Sequence, residues 1–407
     1  MLKLMAASQP RSAKQRSQRP PTIGLAVAGG GPLGAIYELG ALRALDEAID
    51  GLSMHELDVY VGVSSGAFLT ASLANRMTTA QLSRIFLNSP DAEFSFKPEQ
   101  FLRPAFGEFL NRAKRIPSVV FDMLAESIRH PQRILQLESM EGVSRLIPTG
   151  IFDNQGIERF LAKVLSQHGR SNDFRQLDTR LRIVAVDLDT GQAVRFGEPG
   201  LDEVPISTAV QASAALPGLY PPVAIGDRYF VDGALRRTLH ASVALREGVD
   251  LLIGVNPLVP YDAERQDEPS RMVRGGLPLV LSQTFRSLIQ SRMQIGITKY
   301  AADFPHAGMM LIEPNRNDER MFFTNVFSYS SRTELVEHAY QTTRQELLAR
   351  ADQLEPFLED HGLGLNHDAL ARPQTFTGSL RDEPTQWSAV GRDLARSLDQ
   401  LDHLVRQ

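Results

Sequence analysis

The chain alternates short apolar runs with longer segments whose apolar residues have helical spacing. The runs at 22–29 and 58–64 are short and largely apolar, which predicts two buried strands. Between them, apolar residues from 36 to 49 recur every three or four positions, which predicts an amphipathic helix. A second helix, rich in small residues, is predicted at Ser65–Arg76. This order of elements predicts right-handed crossovers and a mostly parallel sheet of the α/β class.

Apolar runs return in the second half of the chain and predict further strands. These are Leu181–Asp189 with a hairpin partner at Gly191–Gly197, a hairpin at Ala224–Leu235 that turns at Gly226, and buried strands at Asp250–Pro257 and Gly308–Pro314. Further helices are predicted at Pro104–Lys114, Pro117–Arg129, Asn154–Gln167, Arg332–Arg350 and 385–405.

These elements divide the chain into three predicted parts. Residues 1–21 have basic side chains and no continuous apolar core, so we expect a disordered basic arm. Residues 22–315 form the main domain, with a helical insertion at about 81–167. Residues 316–407 form a C-terminal helical region, in which the Gly-, Pro- and polar-rich stretch 361–384 is interpreted as a linker or surface loop.

Composition narrows the possible functions. The 407 residues carry a net charge of −5, so no basic field indicates a nucleic-acid partner. The absence of cysteine excludes disulfides, thiolate zinc sites and a thiol nucleophile. The chain has neither the apolar core of a secretory signal nor about 18 uninterrupted apolar residues for a membrane span. We therefore expect a cytoplasmic protein without a transmembrane span, and a peripheral contact with a membrane stays open.

The pentapeptide GVSSG at 62–66 is a candidate nucleophile turn. It matches G-x-S-x-G with Ser64 at its centre, and it lies between a predicted strand and a predicted helix. In such a sharp turn, a Cβ atom at Gly62 or Gly66 would clash with the adjoining element. The alternative is a glycine-softened turn in which Ser65 caps the helix. The strand–turn–helix context favours catalysis by Ser64.

A second glycine cluster, Gly29–Gly31, follows the first predicted strand. In a parallel sheet this turn opens on the same carboxyl edge as Ser64, where backbone N–H groups would serve as an oxyanion hole. A dinucleotide site is the weaker reading, since the second strand ends in Ser64 rather than in an acid. A phosphate-binding loop of the Walker type needs a lysine that this loop lacks.

A nucleophilic serine needs a base, and no histidine lies in a compelling motif. The best aspartate is Asp232, which ends a predicted strand and is followed by Gly233. Such a carboxylate can lie at the carboxyl edge of the sheet. An ordinary Asp-Gly turn within a hairpin explains the same two residues.

Three segments in this order resemble the patatin-like phospholipase family. They are GGGPLGAIYELGALRAL, GVSSG and ASAALPGLYPPVAIGDRYFVDGAL. The similarity extends over about residues 21–257 and includes the segment Ala212–Pro222. It implies a three-layer sandwich in which helices flank a mostly parallel central sheet. It also implies a catalytic domain at 22–315.

The resemblance further implies a serine–aspartate dyad without histidine. Ser64 would be the nucleophile, Asp232 its base, and Gly29, Gly30 and Gly31 the oxyanion hole. The implied activity is metal-independent hydrolysis of carboxylic esters in phospholipids or related lipids, with no cofactor and with the lipid at a membrane or micelle surface. The family commonly has an arginine two positions after the glycine triplet, where this chain has Leu33. Without this arginine the loop lacks a positive charge that would assist binding of a phosphate headgroup. The backbone N–H groups of the glycine triplet are not affected.

Two other functions stay open. One is a hydrolase triad in which His240 is the base, although Ser64 on the second strand is early for that fold. The other is a non-catalytic lipid-binding or regulatory protein on a patatin-like scaffold, which would not need the serine and aspartate motifs.

Two segments have the mixture of basic and apolar residues that interfacial helices have. Phe101–Arg133 has six basic residues against three acids, and Val273–Tyr300 has four basic residues and no acid. Amphipathic helices more often pack on their own core, and we favour that interpretation for most of each segment. A lipid-facing role for one of them stays open.

Overall fold

The computed structural model describes residues 1–9, 19–87, 92–94, 96, 103–104, 149–262, 271–324 and 329–381. Its strands are β1 (Leu2–Met5), β2 (Ile23–Val27), β3 (Ile49–Asp50), β4 (Val59–Gly62), β5 (Arg103–Pro104), β6 (Phe152–Asp153), β7 (Arg180–Asp187), β8 (Ala193–Phe196), β9 (Val223–Ile225), β10 (Arg228–Asp232), β11 (Leu251–Val255), β12 (Gly308–Ile312) and β13 (Gly364–Leu365). Its α-helices are α1 (Gly31–Ala48), α2 (Ser65–Ala74), α3 (Thr79–Phe86), α4 (Gln155–Leu165), α5 (Ile206–Ser213), α6 (Ala241–Arg246), α7 (Arg271–Arg274), α8 (Gly276–Asp303), α9 (Glu319–Phe323), α10 (Tyr329–Ala349), α11 (Ala351–Glu359), α12 (His367–Ala371) and α13 (Phe376–Ser379).

Nine of these strands form one mixed sheet. Five neighbours, β12, β11, β2, β4 and β7, are parallel to one another. Antiparallel strands flank them, with β1 beside β12 and β8 beside β7, and the β9–β10 hairpin joins β7 as well. The predicted α/β class and mostly parallel sheet are therefore confirmed, as are both predicted hairpins.

Helices cover both faces of this sheet because its buried strands are apolar on both sides. On one face, Leu25 and Val27 belong to a core that includes residues of α1, α2 and α10. On the other face, Ala26 and Ala28 belong to a second core with residues of α6 and α8. Successive residues of a strand point to opposite faces, so one short strand contributes to both cores. The result is the predicted three-layer arrangement.

Helix α1 departs from the predicted amphipathic pattern. It is buried on nearly every side, including the charged residues Glu38 and Arg43. The reason is α10, which crosses its outer surface at Gly40. A Cβ atom at Gly40 would lie 2.6 Å from the carbonyl oxygen of Val336 and 2.9 Å from the amide nitrogen of Tyr340. Helix α10 therefore buries the face of α1 that the sequence pattern predicted to be solvated. Its range is close to that of the helix predicted at Arg332–Arg350.

The prediction of a disordered arm at residues 1–21 is wrong at its beginning. Leu2–Met5 form the edge strand β1, which pairs antiparallel with β12, and Leu2 is fully buried. An edge strand is stabilised by a partner far along the chain, so composition alone misses it. Residues 10–18 lie outside the described residues.

The predicted linker at 361–384 is also wrong over its described part. Its first residues form β13, which pairs with β3, and the helices α12 and α13. Arg43 explains part of this order, since its guanidinium donates to the hydroxyl and the carbonyl oxygen of Ser379. The segment therefore packs against the main domain.

Helix α4 confirms the helix predicted near 154–167, and α3 lies at the start of the predicted insertion. The helices predicted at 104–114, 117–129 and 385–405 lie outside the described residues. Within the described ranges, no helix has both the length and the apolar composition to cross a membrane.

Candidate functional site

The two glycine motifs meet where the order of the sheet changes direction. From β2 the chain crosses to β4 on one side, whereas β11 later joins β2 on its other side. Such a switch point leaves a crevice at the carboxyl ends of the strands, which is where open α/β sheets bind ligands. The loop at Gly29–Gly31 and the loop after β11 open into this crevice together.

Ser64 lies in a strained turn between β4 and α2. Its φ angle of 52° is rare for a residue with a side chain. The flanking glycines are sterically required, as predicted. A Cβ atom at Gly62 would lie 2.5 Å from the Cα of Ala67, and one at Gly66 would lie 2.3 Å from the carbonyl oxygen of Val27.

The alternative reading of this turn as a simple helix cap does not hold. Ser64, rather than Ser65, occupies the N-cap position of α2, and its hydroxyl makes no capping hydrogen bond. The hydroxyl instead lies beside the carboxylate of Asp232 and lowers the pKa of that carboxyl group. The two predicted side chains therefore lie together at the N-terminus of α2, where backbone N–H groups carry partial positive charge.

The register of β7 explains how Asp232 reaches Ser64. Successive N–H groups of a strand point to opposite edges. The amide of Arg180 in β7 donates to Asp58, and the amide of Leu188, just after β7 and an even number of residues away, donates to Tyr229. The strands β4 and β10 therefore share one edge of β7. In that register Gly62 is opposite Ile183, and Asp232 is opposite Ala185. The two strands approach end to end, so their terminal residues meet.

Ser213 fills the gap between these two strand ends. Its hydroxyl accepts a hydrogen bond from the amide of Ser64 at 2.9 Å and donates one to the carbonyl oxygen of Val184 at 2.6 Å. Gly233 is needed at the same place, because a Cβ there would lie 2.2 Å from that carbonyl oxygen. Sequence reasoning did not assign a role to Ser213, although it lies in the segment that carries the family resemblance.

Burial sets the protonation behaviour of Asp232. The side chain is 3% exposed, and desolvation raises its pKa to about 6, opposed by hydrogen bonds from the Ala234 amide and the Ser64 hydroxyl. The Ala234 hydrogen bond, at 2.8 Å, is the Asp-Gly turn that the sequence also allowed. The carboxyl group both caps this turn and contacts Ser64. A pKa near 6 makes it a better proton acceptor at neutral pH than an ordinary aspartate.

The glycine loop lies directly beside the serine. A Cβ atom at Gly29 would lie 2.9 Å from the Cβ of Ser64. The backbone of Gly29 therefore approaches Ser64 too closely for any side chain at position 29. Within the described ranges, the amides of Gly29, Gly30 and Gly31 have no hydrogen-bond acceptor in the protein. Gly31 has a φ of 60° and begins α1. These N–H groups are placed to receive an acceptor atom from a ligand.

Two neighbours shape this loop. Pro257, in the loop after β11, packs against it so tightly that a Cβ at Gly30 would lie 2.6 Å from the proline Cγ. Leu33, which stands where the family commonly has arginine, is half-buried and packs against the core on the α1 face of the sheet. The position at which this chain departs from the family is therefore occupied by an apolar side chain that packs on the core.

His240 lies close to the site without contacting the serine. It is buried, and its Nε2 is 3.2 Å from the carbonyl oxygen of Gly233. Burial lowers its pKa to about 4, so the ring is neutral at physiological pH. In the described part of the chain, no histidine forms a hydrogen bond with Ser64. His240 supports the loop that carries Asp232.

Glu38 is a further buried carboxyl group that sequence reasoning missed. It points from α1 towards Ser65, is fully buried, and has a pKa well above its usual range because of desolvation. Among the described residues, neither its carboxyl oxygens nor the Ser65 hydroxyl has a hydrogen-bond partner of good geometry. A buried carboxyl group without a cation is stable only when protonated. Burial therefore favours the neutral form of this carboxyl group, which limits negative charge near the N-terminus of α2. The described residues contain no cluster of three or more histidine or acidic side chains that would hold a metal ion.

Comparison with known proteins places these motifs in context. A family model described as "Patatin-like phospholipase" matches residues 25–245, which is more than half of the chain and includes the glycine loop, Ser64 and Asp232. Among solved structures, VipD from Legionella pneumophila is similar at 16% identity with a TM-score of 0.38, over 81% of this chain and 67% of VipD.

Full-length ExoU, solved with SpcU from the type III secretion system of Pseudomonas aeruginosa, is similar at 16% identity and a TM-score of 0.27. That match covers 82% of this chain and 61% of the other. A separate structure of the type III effector protein ExoU gives 16% identity and a TM-score of 0.29, over 83% and 61%. The chain thus spans less than two thirds of the ExoU chains that it resembles.

Proposed function

The chain belongs to the patatin-like phospholipase family, as its motifs indicated, and from this premise we propose that it hydrolyses carboxylic ester bonds of lipids through an acyl-enzyme on Ser64. The family supports lipid hydrolase activity in general. The residues, the mechanism and the independence from metal ions are the proposal. The observation that carries it is the placement of the Ser64 hydroxyl beside the buried carboxylate of Asp232, whose pKa that hydroxyl lowers and burial raises.

The acylation step begins with proton transfer. Asp232 takes the hydroxyl proton of Ser64 as the Oγ atom attacks the ester carbonyl carbon. The carbonyl oxygen becomes an oxyanion, which the free amides of the glycine loop and the N-terminus of α2 stabilise. The amide of Ser64 is not one of these donors, because it is already bonded to Ser213. The alcohol then leaves with the proton from Asp232.

Deacylation reverses these roles. Asp232 removes a proton from a water molecule, the hydroxide attacks the acyl-enzyme, and a second oxyanion forms in the same place. When this intermediate breaks down, Ser64 leaves and recovers its proton, and the free fatty acid is released. No step requires a metal ion or a histidine.

The contrast between two neighbouring aspartates supports Asp232 as the base. The pKa of Asp187 is held at about 2 by the amide of Thr190 and by the guanidinium of Arg228. Such a carboxylate is a poor proton acceptor. None of the described cations contributes to the pKa of Asp232, which burial raises to about 6. Of these two aspartates, Asp232 is the one that lies beside Ser64 and has a pKa near neutral pH.

Fluorophosphonate labelling and fatty-acid release test the proposal. We expect Ser64→Ala to abolish labelling and to lower release from phospholipid micelles by about 10³-fold or more, and Asp232→Asn to lower release comparably. Ser287→Ala removes an exposed hydroxyl on α8 and is the matched control, which should retain full labelling. Chelation of divalent cations should leave the rate unchanged. Undiminished labelling of Ser64→Ala would refute the nucleophile, and normal turnover by Asp232→Asn would refute the dyad.

A further inference from the structure

The outward face of α8 is apolar. This 28-residue helix exposes six large apolar side chains, of which Leu277, Leu288 and Ile295 are 70%, 56% and 71% exposed. The other three are Val280, Leu281 and Phe285. Isolated exposed apolar residues are ordinary on protein surfaces, but a contiguous set on one helix face marks a surface that contacts another apolar phase.

The spacing places these six residues on one side of the helix. At 3.6 residues per turn, positions 277, 281, 288 and 295 fall along one stripe. The opposite side packs on the protein, where Met293 and Ile297 join the core that α6 also covers. Gln290 is buried on that inner side. Helix α8 is therefore apolar on both sides, although only one side has an apolar neighbour among the described residues.

The charge of this region is the opposite of the charge of the whole chain. The chain carries −5, whereas Val273–Tyr300 contains four basic residues and no acid. Arg292 and Lys299 are exposed and lie along the apolar stripe. A second copy of this chain is a poor occupant, because a symmetric contact through these helices would bring their basic residues together. The one acid of α8 is Asp303 in its last turn, 4.0 Å from Lys299. An apolar stripe with cations beside it fits an anionic lipid surface.

Helix α8 is linked to the glycine loop through the loop that follows β11. The guanidinium of Arg286 donates to the carbonyl oxygens of Pro257 and Val259, at 3.4 and 3.1 Å. Pro257 is the residue that packs against Gly30 and Gly34. One short loop thus separates the apolar helix from the predicted oxyanion donors, so a surface that binds α8 would lie close to the mouth of the crevice.

We infer that the outer face of α8 docks the protein on anionic lipid bilayers and brings the crevice to its substrate. The stripe defined by Leu277, Val280, Leu281, Phe285, Leu288 and Ile295 enters the acyl boundary, and Arg292 and Lys299 meet lipid phosphates. The inference rests on the proposed function for the identity of the substrate. The inference adds the surface of the protein that contacts the bilayer. The proposed hydrolase activity alone does not identify this surface.

Vesicle binding by the full chain carrying Ser64→Ala tests the inference without hydrolysis. The probe is a vesicle of phosphatidylglycerol and phosphatidylcholine, and the readout is the fraction of protein that floats with it. Adding Leu281→Glu and Leu288→Glu should lower the partition coefficient by about tenfold or more, because the stripe loses apolar contacts and gains anions. Leu348→Glu is the matched control. It changes a leucine on α10 of similar exposure, 47% against 45% for Leu281, and should alter partitioning by less than about twofold.

Charge and catalysis provide separate readouts. Arg292→Glu with Lys299→Glu should lower binding to anionic vesicles and leave the weaker binding to pure phosphatidylcholine unchanged, with an effect that fades at high salt. With Ser64 intact, the leucine variants should lose hydrolysis of vesicle lipid and retain kcat/KM on a soluble short-chain ester. Failure of the proposed function would remove both activities and leave vesicle flotation intact, so the two failures are distinguishable.

Several outcomes would overturn the inference. These are absence of flotation by the parent protein, an equal loss of flotation in Leu348→Glu, and a dimer that the α8 variants dissociate while flotation persists. A large fall in the unfolding midpoint of Leu281→Glu, without a change in flotation, would mean that another segment of the chain covers the stripe.

Discussion

At the scale of single residues, the site depends on what surrounds a carboxyl group. Asp187 and Asp232 lie on paired strands, yet one is acidified by an amide and a guanidinium, and the other is made basic by burial. The same residue type therefore has opposite shifts in proton affinity on two paired strands. The sequence supported Asp232 through its position at a strand end and through family resemblance, and it contained no sign of this difference.

The pKa of Asp232 leads to a prediction about pH dependence. The base must be ionised to accept the Ser64 proton, so kcat/KM should rise through a pKa of about 6 and then level off. Below that pH it should fall about tenfold per pH unit. The measurement is hydrolysis of a soluble ester, which avoids any effect of pH on lipid binding.

His240→Asn is the control for this profile, since asparagine tolerates the left-handed backbone (φ 47°) of that position. The ring of His240, with a pKa of about 4, is neutral throughout the range. The rise of kcat/KM near pH 6 should therefore persist in this variant. Its disappearance would assign the titration to a histidine and contradict the dyad.

At the scale of elements, the sequence predicted what local patterns determine. Glycine spacing and apolar runs predicted β2, β4 and the turn at Ser64, because a sharp strand-to-helix turn imposes its own residues. The contact between Ser213 and Ser64 joins residues 149 positions apart, and no local pattern encodes it. The burial of α1 was missed for the same reason, since the helix that covers it comes almost three hundred residues later in the chain.

Gly40 tests the crossing of α1 and α10. Gly40→Ala should destabilise the protein by about 1–3 kcal/mol, because the new methyl group meets backbone atoms at 2.6 and 2.9 Å. Urea unfolding measures the change. Gly296→Ala on α8 is the matched control, since its nearest neighbours are 3.5 Å away or farther. The control should be stabilising by about 0.5–1 kcal/mol through helix propensity. Equal effects at the two glycines would contradict the close crossing.

At the scale of the whole molecule, the sheet joins distant parts of the chain. Its first strand, β1, pairs with β12, and the amide of Leu2 donates to Glu346 on α10. The segment 361–381 likewise packs back on α1 through Arg43. Sequence patterns assigned both segments to disorder or linkage, because a short strand or a polar helix becomes ordered only through partners that lie elsewhere.

Leu2 provides the test of this arrangement. It is fully buried, so Leu2→Ala should lower the free energy of unfolding by about 2–5 kcal/mol. Thermal and urea unfolding report the change, and Leu348→Ala, at an exposed leucine, should alter stability by less than about 0.5 kcal/mol. A Leu2→Ala protein as stable as the control would mean that residues 1–9 do not belong to the sheet.

The end-to-end meeting of β4 and β10 has a consequence for synthesis. Ser64 emerges from the ribosome 168 residues before Asp232, which is an interval of about 8–34 s at ordinary elongation rates. During that interval the residue that we propose as the base of Ser64 has not yet been made, and β10 does not yet lie beside β7. On the proposed mechanism, a nascent chain that ends before Asp232 cannot hydrolyse lipid. Its activity would begin only when β10 closes that edge of β7.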